Sequence, residues 1–201
     1  MSRVRNQIHI VLWRMSQLQI IKTEDGSPSL WNPDLGETYH SRYGAVQESL
    51  HVFIKSGLNA FIPGKSELSI LEIGLGTGLN AALTATRIGE MRVAYTGLEP
   101  FPVDLELLEQ MKFGEALAVE EFNFLTAIWA APFEDALEIG QDFTLTKSKS
   151  GIADFDSSGR EFHLIYFDAF APEIQSELWE PAVFRKIFKM TSIGGILVTY
   201  C

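Results

Sequence analysis

Cysteine is almost absent from this 201-residue chain, and the single one is Cys201. That excludes an intrachain disulfide and any metal centre built from several thiolates, and it fits a reducing cytoplasm. Positive charge is also scarce, with 16 Lys and Arg against 26 Asp and Glu, a net charge of -10. Broad, sequence-independent nucleic-acid binding needs clustered cations, so that class is excluded, while one locally basic face is not. Arg3, Arg5 and Arg14, and later Lys147, Lys149 and Arg160, are unevenly placed, but both groups read as ordinary solvated charge. Apolar runs are short, and none is long enough to cross a bilayer. His9 to Trp13 is apolar, but no small-residue cleavage site follows it, so no signal peptide is expected. At 46% apolar residues the chain can fill one sizeable core.

Glycine is concentrated in one place. Leu68-Ser69-Ile70-Leu71-Glu72-Ile73 is a strand-like apolar run, broken by Gly74-Leu75-Gly76-Thr77-Gly78 and followed at once by a helical pattern from Leu79 to Arg87. This is the pattern of a first βα unit whose turn approaches a nucleoside closely. The spacing is G-x-G-x-G, without the third glycine that a dinucleotide fingerprint wants. Glu72 at the strand end would repel a pyrophosphate and accept from an ammonium or a hydroxyl. Turn and acid together favour S-adenosylmethionine.

Elsewhere, Leu18 to Lys22 and Ser29 to Trp31 form a hairpin pattern around Thr23–Ser27, with Met15 as an alternative start before it. Residues 1–14 are therefore expected to be a disordered extension and 15–201 a single domain. A polar loop, Asn32 to Ser41, leads to a helical stripe between Gly44 and Lys55. Val93 to Glu99 reads as the next strand, then helices over Val103 to Met111 and Val119 to Ala130, with a further turn or two over Phe133 to Ile139. Phe143 to Lys147 and His163 to Asp168 read as strands. Trp179 to Met190 reads as a helix with Trp179, Val183, Phe184, Ile187 and Phe188 on one side, and Ile196 to Tyr200 as a last strand. The alternation predicts an α/β, Rossmann-like, mainly parallel sheet with helices on both faces.

Ligands of such sheets sit beyond the carboxyl ends of the strands. Glu72, Glu99 and Asp168 all fall there. Glu99 is placed to accept from both hydroxyls of a ribose, and Glu72 to face an amino-acid tail. Asp168 opens Asp168-Ala169-Phe170-Ala171-Pro172, where a carboxylate, a ring and a proline-fixed bend could hold an amine and pack on a planar base. Methyl transfer to nitrogen needs a neutral amine with its lone pair aligned, and Asp168 can orient that amine and take up its proton.

These residues carry a resemblance. Asn32-Pro33 through Tyr39-His40-Ser41, Glu48-Ser49 with His51-Val52-Phe53, the glycine turn through Asn80, Glu99-Pro100-Phe101-Pro102, Phe167 through Pro172, Leu178-Trp179, Gly194-Gly195 and Thr199-Tyr200 occur in this order. Over about residues 16 to 201 the chain resembles the bacterial tRNA 5-methylaminomethyl-2-thiouridine methyltransferase domain, in its stand-alone form without an FAD-dependent oxidoreductase. The resemblance implies a class I, S-adenosylmethionine-dependent fold and N-methylation of 5-aminomethyl-2-thiouridine at the tRNA wobble position. It gives Glu72, Gly74, Gly76 and Glu99, with Thr77, Gly78, Asn80 and Pro100 of the same motifs, to the cofactor. It sets Tyr39, Ser41 and Glu48 in the same pocket, Asp168 nearest the reacting amine and Phe170 and Pro172 on the substrate side. No metal is implied, and tRNA is the implied partner.

Two departures stand out. The family places an acid near the adenine just after the strand ending at Lys147, where this chain has Ser148-Lys149-Ser150, with Asp154 the nearest acid. The family also continues beyond the position of Cys201, so the chain is expected to be C-terminally truncated, with its last strand an exposed edge. Competing readings are a non-catalytic or truncated cofactor-binding domain, a polyamine-synthase-like aminopropyl transferase, which would want Gly-Gly-Gly-Asp at the turn, and a nicotinamide oxidoreductase.

Overall fold

A computed structural model describes residues 18–61 and 66–200. The disordered extension expected over 1–14 lies outside the described residues. Three short antiparallel strands, β1 (Gln19–Lys22), β2 (Pro28–Asn32) and β3 (Glu37–Thr38), form an N-terminal sheet. β3 falls within the segment Asn32 to Ser41 that the sequence predicts to be a loop. The hairpin turn is tied to the first helix, α1 (Ala45–Ser49), because Asp25 Oδ2 accepts from Gln47 N at 3.0 Å and Ser27 Oγ from Ala45 N at 3.0 Å. Donors that a helix start leaves open are thus satisfied from outside it. A π-helical stretch, Leu50–Lys55, extends α1.

The main sheet contains β4 (Glu67–Ile73), β5 (Arg92–Leu98), β6 (Ala136–Gly140), β7 (Phe143–Ser148), β8 (Phe162–Phe167) and β9 (Thr191–Val198), in the order β6-β7-β5-β4-β8-β9. All pairs are parallel except β6 with β7. Its helices are α2 (Leu79–Ala85), α3 (Leu105–Gln110), α4 (Val119–Ala130) and α5 (Pro181–Met190). Strand alternation splits the core into two layers. Leu68, Ile70, Tyr95, Leu164 and Tyr166 pack with α2 and α4, whereas Leu71, Ile73, Ile165 and Phe167 pack with Ile187 and Met190 of α5. The expected mainly parallel sheet with helices on both faces and an N-terminal hairpin is present, with β6 as its one antiparallel member among the described residues.

Several boundaries differ. Phe133 to Ile139 contains no helix. Ala136–Gly140 pairs antiparallel with β7 instead, since Asp142 takes a left-handed φ of 63° that closes a tight hairpin. Trp179 lies in a separate 3₁₀ turn (Ser176–Trp179), and α5 starts at Pro181, whose missing N–H suits a first helical position. Phe188 is 80% exposed. At 100° per residue it falls beyond the edge of the stripe centred on Val183, Ile187 and Met190. β9 starts at Thr191, earlier than Ile196, with a register shift against β8, and it is the outermost strand on its side among the described residues. Among those residues, no helix is long and apolar enough to cross a membrane.

Candidate active site

A cavity of about 1260 Å³ opens over the carboxyl ends of β4, β5 and β8 and is roofed by the segment after β3. Its lining includes Tyr39, Ser41, Glu48, Gly74, Gly76, Thr77, Asn80, Glu99, Pro100, Asp168 and Phe170. Topology accounts for the convergence. Parallel β4, β5 and β8 end at the same level, and Asp168 N donates to Ile73 O at 2.9 Å, so the segment after β8 lies along the glycine turn. A Cβ on Gly74 would stand 2.2 Å from Asp168 O, at a φ of +91°. Only glycine permits this approach.

The carboxylates form an ordered group. Glu99 Oε2 accepts from Gly76 N at 2.8 Å and its Oε1 from Phe101 N at 3.0 Å, which pins the end of β5 to the glycine turn. Burial pushes Glu99 up to about 7, against the two backbone bonds. Glu48 Oε2 accepts from Ser41 N at 2.8 Å, and burial raises its pKa as well. Asp168 Oδ2 accepts from Asn80 Nδ2 at 2.8 Å. Burial, and then the Glu48 charge, push Asp168 up to about 8. Opposite Asp168, the Tyr39 and Phe170 rings meet edge to face, with centroids 5.3 Å apart. Phe170 O accepts from Trp179 Nε1 at 2.9 Å, and Phe170 N donates to Gln175 Oε1 at 3.1 Å, which steadies the ring.

Three of the residues expected at the site lie outside this lining. Glu72 is fully buried, with Oε1 bonded to Asn80 Nδ2 and Oε2 to the Tyr95 hydroxyl. Its position parity with Leu68 and Ile70 turns it under α2 rather than out over the strand ends, so facing a ligand's amino-acid tail does not follow from its placement. Gly78 contacts α4, where a Cβ would meet Ile128 at 2.9 Å. Pro172 shapes the bend without lining the cavity. Asp154 is also outside it; Gly151 and Ile152 stand there, while Ser148 Oγ and Lys149 N both donate to Glu134. Sequence reasoning missed Glu37, His40, Gln175 and Glu177 as lining residues. His40 sits between two expected residues, and its Nδ1 lies 3.1 Å from Ser29 Oγ. Burial holds it down to about 4, and so neutral.

The lining chemistry tests a cofactor. Glu37, Glu48, Glu99, Asp168 and Glu177 border the cavity together with apolar Ile73, Leu75, Leu98 and Ile152, and no Lys or Arg is among them. Such a surface fits a nucleoside that carries positive charge and disfavours a pyrophosphate. No group of acids, histidines or cysteines among the described residues is arranged to hold a metal ion.

Residues 131–201 match the family described as S-adenosyl-L-methionine-dependent methyltransferase. The match takes in the C-terminal third of the chain, from β6 to β9. The glycine turn lies outside that matched segment, so turn and family match are separate observations. Over 196 residues the chain is 28% identical to the tRNA 5-methylaminomethyl-2-thiouridine biosynthesis bifunctional protein MnmC of Delftia acidovorans, covering 88% of this chain and 29% of that protein. The protein of the same name from Ralstonia nicotianae is 26% identical over 191 residues, with 88% and 28% covered. The chain thus spans under a third of the length of these relatives. Its fold matches the crystal structure of MNMC2 from Aquifex aeolicus with a TM-score of 0.71 at 22% identity, covering 100% of this chain and 68% of that one. S-adenosyl-L-methionine is the cofactor that the description of the matched family names.

Proposed function

We propose that this methyltransferase domain methylates a primary amine on a modified base, the 5-aminomethyl group of 5-aminomethyl-2-thiouridine at the tRNA wobble position. The observation that carries the reading is Asp168, a half-buried carboxyl whose pKa is raised to about 8, standing beside an aromatic pair in a cavity lined by acids. The names of the relatives support the RNA substrate.

Gly74, Gly76, Thr77, Asn80, Glu99 and Pro100 would hold the cofactor, with Glu99 accepting from ribose hydroxyls through the lone pairs its two backbone bonds leave free. S-adenosylmethionine supplies an electrophilic methyl group on a positively charged sulfur. Asp168 accepts a hydrogen of the acceptor amine, turns its lone pair toward the methyl and takes the proton that an ammonium must lose. Tyr39 and Phe170 pack against the base and exclude water from the reacting nitrogen. Ser41 and Glu48 close the same wall.

The test is methyl transfer to tRNA bearing 5-aminomethyl-2-thiouridine, read as the mass of the digested nucleoside. One added methyl on that nucleoside alone is expected. Transfer to another site, or none by a folded, cofactor-binding protein, overturns the reading.

A pH dependence follows from the same groups. Glu99 and Asp168 have folded pKa values above their unfolded ones, so each opposes folding once the unfolded carboxyl has ionised. That opposition begins near pH 4 and is complete above about pH 8. A cationic ligand reverses the balance, because it favours the ionised carboxylates. S-adenosylmethionine affinity is expected to rise from about pH 6 to about pH 8.5, with protons released on binding. Calorimetry in two buffers of different ionisation enthalpy reads this. Affinity that is flat across the range would contradict it.

A further inference from the structure

Asn80 does something in this fold that the cofactor turn does not require. Its amide nitrogen donates to Glu72 Oε1 at 2.9 Å and to Asp168 Oδ2 at 2.8 Å, which uses both hydrogens of one NH₂ group. Behind it, Glu72 Oε2 accepts from the Tyr95 hydroxyl at 2.8 Å, and neither Glu72 nor Tyr95 lines the cavity. Asn80 Oδ1 is buried and has no partner among the described residues, so turning the amide over would strand the two donors there and aim an oxygen at two carboxyl groups. The amide therefore has one orientation, set from behind by a carboxyl that no ligand reaches.

We propose that Asn80 is a positioning residue for Asp168: anchored by Glu72, it holds Asp168 Oδ2 and leaves Oδ1 to face the acceptor amine. The proposal rests on the role given to Asp168 above. Asp168 Oδ1 has no hydrogen-bond partner among the described residues. The other ionisable groups around Asp168 are all acids: Glu48 from α1, Glu99 beyond the end of β5, Glu72 from β4 and the Tyr95 hydroxyl from β5. The Glu48 and Glu99 charges disfavour its ionised form. Asn80 supplies the side-chain hydrogen bond that favours that form, and so keeps Asp168 able to receive a proton near neutral pH. Glu72, pushed well up by burial and by the Asp168 charge, keeps its place through Asn80 and Tyr95 rather than through water.

The experiment is a ¹³C NMR titration of the aspartate carboxyls in the whole chain without cofactor, with Asp168→Asn assigning the resonance. Asn80→Ala and the volume-keeping Asn80→Leu are the variants. In both, the Asp168 midpoint is expected to rise by about half a unit or more. The acid limb of the kcat profile should move the same way. An unmoved or lowered midpoint overturns the proposal. So does unfolding of both variants, which would make Asn80 a stability residue. A raised midpoint in a protein that never methylates the aminomethyl nucleoside keeps the role of Asn80 and sinks the wobble-uridine reading.

Discussion

Asp168→Ala is expected to lower kcat/KM for the aminomethyl acceptor by about 10²–10⁴, the usual scale for removing a general base. S-adenosylhomocysteine affinity should stay within about three-fold, because Glu99 and the glycine turn do not depend on the lost carboxylate. Stability should not fall with activity. A carboxyl whose pKa rises to about 8 on folding opposes folding at neutral pH, so its removal leaves the thermal midpoint unchanged or higher. That pairing separates a catalytic role from a structural one. Steady-state kinetics, equilibrium dialysis and a thermal melt on one preparation give the three readings. Equal loss of binding and transfer would reassign Asp168 to holding the cofactor.

Gly74→Ala is the second large effect, and it acts through the backbone. The new Cβ would lie 2.2 Å from Asp168 O, an atom held by its own peptide, at a φ of +91° that an alanine rarely adopts. Strain and displacement together cost about 3 kcal/mol or more. For a chain of this size that lowers the thermal midpoint by roughly 6–12 °C. Transfer should fall further than stability, because relief of the clash moves Asp168 away from Asn80. Gly76→Ala is the comparison: its Cβ would meet the Tyr39 ring at 3.5 Å, an ordinary contact, leaving only the cost of a φ of +52°. About 1 kcal/mol covers that. Equal melts for the two variants would contradict the packing described for the turn.

The βα unit around the glycine turn was legible because a buried parallel strand and its turn write their pattern locally, in Leu68 to Asn80. Glu99 and Asp168 were legible for the same reason, since each directly follows an apolar run. β6 was not, because its burial is slight and its pairing depends on Asp142 taking a left-handed turn. Glu72 was half legible: its place at the strand end is in the sequence, but the face it points to depends on which layer lies above Ile70. Counting alternation from Leu68 shows that Glu72 shares a face with Ile70, but not that this face lies under α2. His40, Gln175 and Glu177 join the cavity through long-range packing of the roof and the segment after β8, which no local spacing records.

Titrating the whole chain and its Glu99→Ala variant with S-adenosylhomocysteine in a calorimeter tests the central claim, that this cavity is the cofactor site. The account predicts one saturable site in the unaltered protein. Loss of the Glu99 carboxylate should weaken it by about 10- to 100-fold, the scale of hydrogen bonds to a charged group. A folded protein that does not bind, or one whose binding ignores Glu99, would contradict it.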